Sequence, residues 1–285
     1  MKGRRTIRAW AVIFWLLLWQ AGAMAIDQRI ILVSPLRVLA RLTELIPTLD
    51  FWGAIWYSLV RITAGFLLGT AAGVVLAALS ARFRRVEELL APALLALKSL
   101  PVASFIILAL LLFSSRNLAV LISFLIVLPV LYTNLLSGIR AADPQLLEMA
   151  RVFRVPTLRG IRYVYLPQVL PYFRSACGSA LGLCWKSGIA AEVIGMPDGS
   201  IGEQLQQAKV YLDTPDLFAW TVAVVLLSLA LEWLLRRLLE RYGLPDATAY
   251  SAQALYEKTL SDKKRSGDTI SLVVPIAWGA SQLVR

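Results

Sequence analysis

Of 285 residues, 58% are hydrophobic and only 16% charged, and the mean hydropathy is +0.68. Soluble domains are nearer half apolar and a quarter charged, so the composition points to a membrane protein. With no histidine the chain lacks the commonest general base and metal ligand near neutral pH. The net charge of +11 has to be read from where the basic residues lie.

An apolar run over 9–26 follows Lys2, Arg4, Arg5 and Arg8. As a helix of 18 residues it would rise about 27 Å, enough to cross a bilayer. Ala23-Met24-Ala25 also resembles a cleavage site, so a signal peptide is the competing reading. The length of the run and its Trp10, Trp15 and Trp19 favour a retained N-terminal transmembrane helix over 1–26. Residues 27–50 are mixed and polar enough for an external segment. Further spans are expected over 51–80, 89–113, 118–139, 169–194 and 217–235. The third is interrupted by Pro92, Lys98 and Pro101, and only 114–117 separates it from the fourth. Residues 196–216 form a second external segment. The tail over 242–285 combines Lys263, Lys264 and Arg265 with an apolar stretch, 270–278, too short to span. It reads as interfacial or partly disordered. The expected fold class is therefore all-α, a polytopic membrane helix bundle of about six transmembrane helices with both termini cytoplasmic.

Charge placement sets that orientation. The N-terminus, 81–88, 140–167 and the tail from Arg236 hold 20 Lys or Arg residues, against five in the external segments. This is a positive-inside pattern, so the basic balance reports topology rather than nucleic-acid binding.

Span two carries Gly65, Gly69 and Gly73, and span five carries Gly178, Gly182 and Gly188. Such spacing lets helices approach closely, so tight packing is expected at each. Cys177 and Cys184 read as small packing residues of span five, and no metal site is expected. Ionisable groups at membrane depth are costly and face protein or a water-filled path. Arg61 lies four and eight residues before Gly65 and Gly69, and Lys186 follows Gly178 and Gly182 with the same spacing. Both are expected to face neighbouring helices, either as structural partners of a carboxylate or helix-end carbonyl or as lining of an anion path. Glu192, near the outer end of span five, suits a gate or an ion pair. Lys98 is placed to snorkel.

The cytoplasmic loop reads LEMARVFRVPTLRGIRYVYLP from Leu147 to Pro167. Glu148, Met149 and Ala150 are followed by Arg151, by Arg154, and then by Val164, Leu166 and Pro167. This register resembles the EAA loop of ABC-importer permease subunits: Glu-Ala-Ala, three residues, Gly, nine residues, Ile-x-Leu-Pro. Met149 stands for an Ala and Arg154 for the Gly, where a left-handed turn carries a steric cost for Arg. Pro156 pushes Val155 out of the helical region and can relocate the turn. Ser58 through Phe66, Ser99-Leu100-Pro101, Ala142 through Arg151, and Ala191 through Gly195 with Gly202 and Ala208 resemble the nitrate, sulfonate and taurine permease group. The connection at 114–117 lacks that group's Gly-rich segment.

The resemblance implies a homodimeric permease in the cell inner membrane, with separate cytoplasmic ATPase subunits beneath and a solute-binding protein outside. It places the permease core at 51–241, with the loop at 140–167 inside it. Residues 145–167 would contact the ATPase, with Glu148, Met149, Ala150, Arg151, Arg154, Leu166 and Pro167 as the coupling positions. ATP and Mg would sit on the partner, since this chain has no GxxxxGK[ST] loop and needs no cofactor of its own. Arg61, Lys186 and Glu192 are the candidate path residues. The solute would be a small anion such as nitrate, a sulfonate or taurine. A gradient-driven secondary transporter is the alternative, although no internal repeat is evident. A membrane enzyme has little support without a nucleophile–base set in the spans.

Overall fold

The computed structural model describes residues 9–26, 33–153, 155–241, 272–277 and 280–284. Its helices are α1 (Ala9–Ile26), α2 (Pro35–Leu45), α3 (Leu49–Arg82), α4 (Arg84–Ser99), α5 (Val102–Leu112) and α6 (Ser115–Arg140). The loop forms α7 (Pro144–Val152) and α8 (Thr157–Gly160), then a π-helical turn (Ile161–Tyr165) that runs into α9 (Leu166–Gly195). Then come α10 (Ile201–Val210) and α11 (Thr214–Arg241). The tail adds a departure from all-α: an antiparallel hairpin of β1 (Leu272–Ala277) and β2 (Ala280–Val284). Its strands are rich in Leu, Val and Ile, which suit a pleated backbone. The bundle itself is helical throughout.

By length and composition, α3, α6 and the stretch Thr214–Leu239 of α11 can each cross a membrane. The expected third span is two helices, α4 and α5, bent by 108°. Leu100, just before Pro101, is extended (φ −70°, ψ 129°), as a residue preceding proline prefers. Contacts show that this broken pair still traverses the bundle. Glu87, at its start, pairs with Arg140 at the end of α6, whereas Arg116, just beyond it, receives a hydrogen bond from Arg61 of α3. Arg61 precedes Arg82 by 21 residues, which is about 32 Å along a helix and matches a hydrocarbon core of about 30 Å.

α6 is the central helix, packed on α3 and α9, and Leu118, Ala119, Ile122, Val127 and Leu131 are fully buried there. The α3 glycines make this contact possible. A Cβ on Gly69 would fall 2.8 Å from Val127 Cβ, and one on Gly65 2.5 Å from Ser123 Cβ and the Val120 carbonyl. Overpacking of this kind costs about 1–3 kcal/mol. Gly69→Ala is therefore expected to lower the melting temperature in detergent, whereas Gly53→Ala, with nothing within 4 Å of its Cβ, is expected to leave it unchanged.

The packing expected at Gly178 and Gly182 is not found. Gly178 has nothing within 4 Å of a built Cβ, and Gly182 meets only a Glu232 oxygen at 3.4 Å. The buried stripe of α9 is instead Cys177, Ala180, Cys184 and Gly188. Gly178 sits about 100° around the helix from Cys177, off that contact. Both cysteines are free and buried, as packing residues should be. Residues 35–45, expected as part of a polar segment, form the amphipathic α2. Its Val38 is buried beside Ala219, and Arg41 Nε donates to Asp216 at 2.9 Å.

Candidate functional site

The loop between α6 and α9 is built to present its tip. Asp143 caps α7 by accepting from the Gln145 N–H at 2.9 Å, and Pro144 occupies the first helical position, where no N–H is needed. Gln168 then clamps the base: its Oε1 accepts from the Asp143 N–H at 2.7 Å, and its Nε2 donates to the Val164 carbonyl at 2.8 Å. Ala142, Leu146 and Pro167 are buried, whereas Glu148, Met149 and Arg151 are exposed. Ala150 is half-buried and Leu166 exposed. At the tip, Val152 and Phe153 are 78% and 70% exposed. Arg154 lies outside the described residues.

At the opposite end of the bundle is a buried polar node. Ser58 of α3 donates to Glu192 Oε2 at 2.6 Å and accepts from the Ile201 N–H at 3.0 Å. The Gly202 N–H reaches the same Glu192 oxygen at 3.4 Å. Ser200 caps α10 by accepting from the Glu203 N–H at 3.0 Å. Ser58 and Ser200 are fully buried and Glu192 is 1% exposed. The node joins α3, α9 and the first turn of α10, whose unpaired N–H groups and dipole suit a carboxylate. A side chain at Gly202 would collide with Glu192.

The three proposed path residues are not gathered at one point. Glu192 makes hydrogen bonds in the node, with no ion pair among the described residues. Arg61, one turn beyond Ser58, donates to the Arg116 carbonyl, and its guanidinium lies 4.4 Å from the centre of the Tyr57 ring. Lys186 is exposed on α9, one turn beyond Gly182. The stripe expected to carry it inward is turned away from α6, as Gly178 shows. Sequence reasoning passed over Arg174, half-buried on α9, whose Nε has no hydrogen-bond partner among the described residues. It also passed over Gln168, Ser58 and the apolar tip. Ser58 heads the Ser58–Phe66 stretch, and Phe153 is an aromatic between arginines.

Fold and composition define a helical membrane protein whose α6–α9 connection ends in an exposed apolar tip. The profile of the binding-protein-dependent transport system inner membrane component family matches residues 69–243, and the chain belongs to that family. It is 29% identical over 227 residues to the putative aliphatic sulfonates transport permease protein SsuC of Bacillus subtilis, covering 79% of this chain and 81% of the relative. It is 28% identical to the riboflavin transport system permease protein RibX of Chloroflexus aurantiacus, covering 79% and 84%. A crystal structure of an amino acid ABC transporter with histidines shares the fold at TM-score 0.52 and 18% identity, over 72% of this chain and 95% of that one. The chain is thus a membrane transport component and not an enzyme, and its family implies an ATPase and a solute-binding protein as partners. That membership sets aside the gradient-driven alternative.

Proposed function

We propose that this chain is the permease subunit of an ABC importer in the cytoplasmic (inner) membrane, paired with a second copy around the solute path. It crosses six times, through α1, α3, the bent α4–α5 pair, α6, α9 and α11, with both termini inside. The core over 51–241 holds the path, and residues 145–167 pass motion from a separate ATPase that binds ATP and Mg. The exposed apolar tip, Val152 and Phe153, carries this reading. Large apolar side chains held open to water on a capped, clamped loop support an interface.

The solute is a small anion of the nitrate, sulfonate or taurine kind. Arg61, Lys186 and Arg174 support this as cations on α3 and α9, and so does a relative named for aliphatic sulfonates. The riboflavin relative is named for a larger solute, so the anion assignment rests mainly on these cations. Glu192 belongs to the outer mouth as a positioning group.

Purification of the tagged chain from native membranes in mild detergent tests the reading. The expected result is a stoichiometric partner carrying a GxxxxGK[ST] loop, and ATP-dependent uptake of a sulfonate once the binding protein is added to vesicles. A pure oligomer without an ATPase, under conditions that preserve a known ABC complex, would overturn it.

A further inference from the structure

At the end of the bundle nearest the docking loop, an open cavity of about 420 Å³ is lined by Ser80, Ala81, Arg82, Arg84, Glu87 and Arg140. That size is within the range of small-ligand sites. Three guanidiniums face one carboxylate, and that carboxylate is taken by Arg140. Arg84 pairs with Glu88 at 3.1 Å, outside the cavity. Arg82 has no carboxylate partner among the described residues, and its guanidinium lies 5.4 Å from the centre of the Phe83 ring. At the base, Ser80 accepts from the Tyr132 hydroxyl at 3.0 Å, which leaves its own proton free to donate.

Height and rim identify the anion. Arg82 lies about one hydrocarbon thickness from Arg61 along α3, which puts it at the headgroup plane. Leu79, Phe83 and Leu89, close to lining residues in the sequence, are 40%, 51% and 76% exposed, and as an apolar rim they would suit acyl chains. We infer that this cavity binds the phosphate of an anionic phospholipid, with Arg82 and Arg140 as its main cationic contacts. Basic pockets between helices on the cytoplasmic side are suited to such headgroups. The inference needs only the membrane placement, and it stands whether or not the ATPase and solute assignments hold.

Native mass spectrometry of the delipidated full-length complex, titrated with phosphatidylglycerol or with phosphatidylcholine of the same chains, tests it. Wild type is expected to prefer phosphatidylglycerol. Arg82→Gln should weaken that binding about fivefold, the effect of roughly one surface arginine. Arg84→Gln, at a side chain 89% exposed and hence harmless to folding, should also weaken it. Lys209→Gln, on the exposed face of α10 at the other end, should change nothing. Unchanged phosphatidylglycerol affinity in both arginine variants would overturn the inference, as would an equal loss in K209Q. Full displacement by excess inorganic phosphate would make this a soluble-anion site, and loss of the ATPase from both arginine variants with their lipid affinity unchanged would make it a docking surface. Either outcome also rejects the lipid.

Discussion

Phe153→Asp is expected to release the ATPase from the purified complex while leaving the permease folded. The side chain is 70% exposed and contributes nothing to the core, so its loss has no route to unfolding. Buried aromatic anchors flanked by arginines dominate interfaces, each worth about 2 kcal/mol or more, which is roughly a 30-fold loss of affinity. Here Arg151 precedes Phe153 by two residues, and Arg159 and Arg162 follow beyond the turn. An aspartate at the tip also places a carboxylate where the partner must accept an apolar group. Co-purification and ATPase stimulation should fall together, with the melting temperature unchanged. Glu148→Arg, on α7 leading into the tip, should weaken association in the same assay. If F153D retains the partner at full stoichiometry, the docking surface lies elsewhere.

The helical loop between α6 and α9 was legible because its signals are local. Asp143-Pro144 announces a helix start and Pro156 a break. The close packing of α3 was legible for a related reason, since Gly65, Gly69 and Gly73 have no side chain, although only the structure shows that the partner is α6. The same logic failed at Gly178 because a glycine stripe says that a helix can be approached, not that it is. On α9 the neighbouring stripe of Cys177, Ala180, Cys184 and Gly188 took the contact. The break at Leu100 and Pro101 could be seen as an interruption, but its angle depends on how α5 packs on α9. Glu192 was noticed for its charge, yet its partner Ser58 lies 134 residues away, beyond the reach of spacing arguments. α2 hid within a segment whose charges looked external, though its Arg41 serves to hold it to Asp216 of α11.

That distant pairing leads to the other large expected effect. Glu192→Ala should detach α10 from α3 and α9 and destabilise the chain by about 2–4 kcal/mol, combining a lost buried acceptor with a cavity. Removing the carboxylate leaves the Ser58 hydroxyl without its acceptor at a fully buried position, and the first turn of α10 loses the oxygen that faces the Gly202 N–H. Glu192→Gln separates shape from charge, because its amide oxygen can occupy the position of Oε2 and accept from both donors. Glu192 Oε1 has no hydrogen-bond partner among the described residues, so the Gln amide nitrogen displaces no bond there. The Gln variant should therefore melt close to wild type, and the Ala variant several degrees lower. Protease sensitivity near Asp198 and Gly199, in the connection between α9 and α10, should rise in the Ala variant alone. Equal losses in both variants would mean that the negative charge, set against the α10 dipole, holds the node. No loss in either would show that α10 is held by its apolar contacts, with Ile201 and Ala208 already buried and sufficient.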